Sequence, residues 1–210
     1  MGLDNGFNGL NNSRQASVAL ERINDVSAHM LSQYSDFKNS SENADELFAN
    51  IYENMKSVVE YFKQTFAARG ISTESIYCVK DDATQSLLMS VLWQKVGFTM
   101  FLNKKPLALH RQDGKKVICQ RILATKGDCI KIIQENPENY TAKLLDAEVA
   151  SLYIPANKND LCEMRVRHLS NEIHAINQQA ASKEFFLKVV EYTCGGGSLH
   201  TEREFSSMIY

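Results

Sequence analysis

Apolar residues in the first third of the chain keep a helical rhythm. Ala16, Ala19, Leu20, Ile23, Val26, Met30 and Tyr34 recur every three or four residues, the spacing of one helix face, and Ser13 stands where an N-cap belongs. A Ser/Asn-rich stretch follows, after which Asn43 with Glu46 makes a capping-box-like start. The second helix carries Leu47, Phe48, Ile51, Met55, Val58, Val59, Phe62 and Phe66 on its stripe and stops at Gly70. The two predict a helical hairpin. Residues 1–12 are Gly/Asn-rich and read as a flexible N-terminus.

Ile76 to Val79 is a short strand candidate, and Asp82 to Gly97 reads as a third helix. Leu87, Leu88, Met89, Val91, Leu92, Trp93 and Val96 wrap most of its circumference, with only Ser86, Ser90 and Gln94 as a polar stripe. A helix of that kind is covered by other layers of its own fold or by another protein. Phe98 to Asn103, Leu107 to Arg111, Val117 to Ala124 and Cys129 to Ile133 read as strands, punctuated at Asp113-Gly114 and Lys126-Gly127-Asp128. Apolar residues fall on both faces of this antiparallel meander, which leaves one face as a candidate partner surface.

Asn136-Pro137 predicts a helix reaching Val149, followed by a short strand over Leu152 to Ile154. Cys162, Val166, Leu169, Ile173, Ile176 and Ala180 are spaced by fours and threes, as in a coiled-coil-like seam. That seam fits either a long core helix or a helix that meets a second chain. Ser182 caps a last helix to Tyr192, or that helix and the preceding one run together, and the Gly-rich segment 195–210 is a tail carrying Phe205, Met208, Ile209 and Tyr210. The expected fold class is α+β: an antiparallel meander of three to five strands packed with N- and C-terminal amphipathic helices, in a single domain over 13–194.

Charge changes this picture. Lys95 to Lys131 holds nine Lys/Arg against Asp113 and Asp128, so it carries +7 while the remainder of the −2 chain carries −9. Such polarity suits a docking surface. The basic residues fit a protein-docking face, a phosphate-tracking ribbon for nucleic acid, or a simple guard of exposed strand edges against aggregation. No apolar run reaches the roughly 20 residues of a membrane span, and the N-terminus lacks the pattern of a secretory signal. The five cysteines are odd in number and include no C-x-x-C, which favours a reducing, cytoplasmic setting.

Chemistry is sparse. Glycine-rich phosphate loops, a G-x-S-x-G elbow and H-E-x-x-H are absent, so neither an enzyme nor a cofactor is expected. Cys194 and His200 across three glycines form the nearest nucleophile pair, without an orienting third residue. His168 and His174 on one helix would diverge by about 240° and share no metal. The expected partner-binding residues are Met89, Trp93, Phe98, Met100, Phe101, Lys115, Lys116 and Arg121, from the apolar third helix and the basic meander.

The meander flanked by Asn43 to Gly70 and Asp160 to Tyr192, with the runs NIYENMKSVVEYFKQTF and NEIHAINQQAASKEFFLKVVEYT, resembles small secretion chaperones, and in particular LvgA-like adaptors of the Dot/Icm type IVB secretion coupling complex. The resemblance implies a cytoplasmic, non-enzymatic subunit of bacterial virulence. It would join small secretion chaperones on the tail of a coupling ATPase and recruit effector proteins. The basic meander departs from the acidic character usual among such chaperones, and no family residue carries over to a position here.

Overall fold

The computed structural model describes residues 5–111, 114–167 and 173–195, with side chains from Ser17 onward. Its fold is α+β. A helix, α1 (Asn5–Ala67), leads into strands β1 (Tyr77–Asp81), β2 (Ser86–Val91), β3 (Gln94–Thr99), β4 (Leu107–His110) and β5 (Lys116–Lys126). Two short helices, α2 (Cys129–Glu135) and α3 (Tyr140–Asp146), precede β6 (Glu148–Pro155), β7 (Cys162–Val166) and β8 (Ile173–Ile176), and α4 (Gln178–Cys194) follows. All eight strands join one antiparallel sheet in the order β1-β2-β3-β5-β6-β7-β8. The long β5 carries β3 beside its C-terminal end and β4 beside its N-terminal end.

The expected helical hairpin is replaced by one continuous helix of 63 residues that already includes Ser13. The Ser/Asn-rich stretch contains neither Pro nor Gly, and its hydroxyls are satisfied inside the helix: Ser40 and Ser41 both donate to the Phe37 carbonyl at 2.9 Å. Asn43 caps nothing. Its amide donates to the carbonyls of Pro155 at 3.0 Å and Ala156 at 2.9 Å, pinning the helix to the end of β6.

The third helix is likewise a correction, since Asp82 to Gly97 folds as the β2–β3 hairpin, with Val91 paired to Gln94 around a two-residue turn. Every residue of β2 is buried. Helices cover both faces of the sheet, so an uninterrupted apolar run serves a strand as well as it would a helix. Gly97 is not a helix stop. A Cβ there would lie 2.6 Å from Cys129 Sγ and 2.7 Å from Thr125 Oγ1, so glycine is what allows the start of α2 to rest on the strand.

Cys129 to Ile133 is helical rather than extended. Gly127 adopts φ +97°, and the Asp128 carboxylate accepts the Lys131 amide at 3.0 Å as an N-cap. The helix expected from Asn136 to Val149 shrinks to α3, and Glu148, paired with Thr125, begins β6. The coiled-coil-like seam is two strands: Cys162, Met164 and Val166 alternate in β7, Ile173 and Ile176 lie in β8, and Leu169 falls outside the described residues. Asn177, not Ser182, caps the final helix, its side chain accepting the Gln179 amide at 3.0 Å; Ser182 is buried within it.

The main core lies between one sheet face and the helices α1 and α4. Phe98 sits at its centre, with ring centroids 5.9 Å from both Phe185 and Phe186, and Ile51, Met55, Leu87, Met89, Ile122 and Leu152 close around it. Each such side chain contributes about 2 kcal/mol by leaving water. A smaller cluster on the other face joins Leu123 to Cys129, Ile133 and Leu144 beneath α2 and α3.

Candidate functional site

The residues expected to meet a partner separate into three groups. Met89, Phe98 and Met100 are interior side chains of the main core, so they are corrected from partner contacts to packing. Phe101 is half-buried against the second cluster, edge-on to Tyr140 at 5.1 Å, with Lys104 Nζ 4.6 Å from its centroid. The same ammonium bonds the Tyr140 hydroxyl at 3.2 Å and lowers its pKa. Lys115, Lys116 and Trp93 are exposed, and Arg121 is half-buried.

Trp93 is the outlier. It forms the β2–β3 turn with Leu92, and its side chain is 82% exposed. Two-residue hairpins favour Asn-Gly or Asp-Gly, because the turn needs a left-handed backbone. Here Leu92 supplies that conformation at φ 56°, a strain of about 1 kcal/mol for a residue with a Cβ. The leucine side chain packs against the main core. A half-buried leucine thus fixes the turn while the indole beside it stands in solvent.

The basic segment does not form one ribbon. Lys95 binds Asp128 at 3.3 Å, Lys131 binds Glu135 at 3.6 Å, and Arg111 faces Asp160 at 3.9 Å and Glu163 at 3.7 Å. Lys116 and Arg121, an odd number of residues apart on β5, point to opposite sheet faces. Lys95 is therefore matched by an acid of the segment itself, and Lys131 and Arg111 by acids from beyond it.

A second exposed apolar surface was hidden by the expected hairpin. From Ser17 to Ser32 every residue of α1 is exposed, including Leu20, Ile23, Val26, Met30 and Leu31 at 57–69%. The sheet begins to cover the helix only near Ser40. Between this overhang and the β4–β5 hairpin lies an open groove of about 430 Å³, with His29 and Asp36 on one wall and Lys116 and Asp160 on the other. The sequence signal was present in the apolar stripe; what it did not carry was that no helix among the described residues covers it.

Nucleophiles are poorly placed. Burial pushes the thiols of Cys119, Cys129 and Cys162 up to about 12 and raises those of Cys78 and Cys194, which keeps them protonated and unreactive at neutral pH. His200, the expected partner of Cys194, and His168 lie outside the described residues. No group of three or more His, Cys, Asp or Glu among the described residues is arranged to hold a metal ion, and no described helix is long and apolar enough to cross a membrane. Comparison with known proteins finds no matching family model, no matching curated protein and no matching solved structure.

Proposed function

We propose that the chain is a non-enzymatic protein-binding adaptor or chaperone that seats a partner segment on the β2–β3 hairpin tip. The observation that carries this reading is Trp93: a tryptophan 82% exposed on a turn held by a left-handed, core-packed Leu92. Strained backbone persists where the surrounding structure enforces it, and such outliers cluster at functional positions. Tryptophan is also the residue most enriched among interface hot spots. In the secretion setting implied by the resemblance, the segment belongs to an effector protein or to the tail of a coupling ATPase. Lys115 and Lys116 at the start of β5 steer acidic partners toward the molecule.

The test is affinity capture from a lysate with wild-type and Trp93→Ala chains, each with and without nuclease and at low and moderate salt. Protein partners that survive nuclease and salt with wild type, and bind the variant about 2 kcal/mol more weakly, are the expected result. Equal retention by a folded variant removes Trp93 from the site. Loss of all partners on nuclease treatment moves the function to nucleic acid and the basic segment.

A further inference from the structure

The overhang of α1 has a periodicity that specifies its occupant. Leu20, Ile23, Ser27, Met30, Tyr34 and Phe37 are spaced by threes and fours, and the series runs on in the same phase through Ser41, Ala44, Phe48, Ile51, Met55, Val58 and Phe62. A straight helix drifts about 20° per heptad against such a repeat. Over the three heptads from Leu20 to Ser41 that amounts to about 60°, so the stripe of the overhang turns away from the face that meets the sheet: that face runs on through His29, Gln33 and Asp36 above the groove, and the stripe beside it is exposed. Flanking positions are neutral as well: Ala19, Val26 and Gln33 border one side of the seam, Asn24 and Leu31 the other, while Glu21, Arg22 and Asp25 lie on the outer surface.

We infer that this stripe is a self-association surface, and that its occupant is the same stripe of a second copy of the chain, in antiparallel orientation. Three observations support it. The exposed portions of Leu20, Ile23, Val26, Met30, Leu31 and Tyr34 sum to on the order of 700 Å², close to the roughly 800 Å² per partner of a stable interface. Neutral flanks allow a symmetric pairing without like charges opposed, whereas a charged foreign helix would find no complementary row there. The overhang is also rich in weak helix formers, including Val18, Asn24, Val26, Ser27 and Ser32, and such a helix surrounded by water draws its stability from packing rather than propensity.

The orientation follows from sterics. α1 carries its own sheet from Ser40 onward, so a parallel partner would bring a second sheet to the same level beside it. An antiparallel partner places the two sheets at opposite ends. With the two-fold axis between Ile23 and Ser27, Leu20 packs on Met30 of the second copy and Ile23 on its Ser27, the small serine making room for the branched chain. The inference is independent of Trp93, which lies on a different element.

Sedimentation of the full chain over a concentration series tests it. Wild type is expected at twice the chain mass. Ile23→Glu/Met30→Glu, at positions exposed in the single chain, should weaken the dimer at least about 100-fold without lowering the thermal midpoint of a dilute sample, because the seam would bury carboxylates against Ser27 and Leu20 with no partner. Mixing Leu20→Glu with Met30→Lys should restore a heterodimer that neither forms alone, which only antiparallel pairing allows. Wild type that stays monomeric at every concentration overturns the proposal. Slow hydrogen exchange along the overhang of such a monomer gives the face to the chain's own carboxyl-terminal tail instead. A glutamate variant that remains dimeric removes the stripe from the interface, and a mixture that stays monomeric overturns the antiparallel arrangement.

Discussion

Asn43 does the work of a clamp with a single side chain. Its amide satisfies two carbonyls at the end of β6 from a position 112 residues away in sequence, and it is buried. Asn43→Ala leaves both carbonyls without that donor and opens a gap, so we expect a loss of about 2 kcal/mol in urea unfolding. The buried thiols set a pH limit on the same fold. Cys119, Cys129 and Cys162 titrate at about 12 in the folded chain, against 9.0 for an ordinary thiol. Unfolding above pH 9.0 therefore releases their protons. The stability they contribute is complete below pH 9.0 and is lost as the pH rises to about 12. Unfolding free energy measured across that window should fall with a slope approaching three protons, and the slope should shrink in a chain with the three thiols replaced by Ala.

At the scale of elements, the continuity of α1 is the finding most open to a direct check. Ser35 is exposed and lies in the stretch expected to be a loop. In a loop, Ser35→Pro would be nearly silent; within a continuous helix it removes a backbone hydrogen bond and clashes with the preceding turn, costing about 3 kcal/mol. We expect the variant to lose helical ellipticity from the segment before residue 35 while the sheet domain keeps its thermal transition. The elements legible in the sequence were those with a distinctive edge: β4 and β5 around Gly114, and the apolar stripes of α1. Those misread share one physical cause. Where helices cover both faces of a strand, as over β2, the alternation that marks a strand disappears. A chance spacing of fours and threes across β7 and β8 then imitates a helical seam. Asp128 and Gly127 show the converse: a turn signal correctly located, but serving a strand-to-helix joint.

For the whole molecule, function was less legible than fold. The excess of positive charge over Lys95 to Lys131 stands out in the sequence, yet Lys131 pairs with Glu135 and Arg111 with Asp160 and Glu163 from beyond the segment, so part of it is used locally. Trp93 was legible as an unusual residue but not as an exposed one, because a helix would have buried it and only the two-residue turn turns it outward. The overhang required knowing that no described element returns over residues 17–32 of α1, a fact of topology that no local pattern contains.

The pin from Asn43 to Pro155 and Ala156 also orders events in time. During synthesis α1 leaves the ribosome before the sheet, with a long apolar face already formed, while the carbonyls that hold it and the phenylalanines of α4 that cover the sheet beside it are still to be made. Its contacts are non-local, so native packing waits for most of the chain. The nascent protein spends its translation as an uncovered amphipathic helix followed by unpaired strands, a species prone to sticking. Antiparallel capture by a neighbouring nascent copy on the same message would shield that helix before the sheet exists to do so.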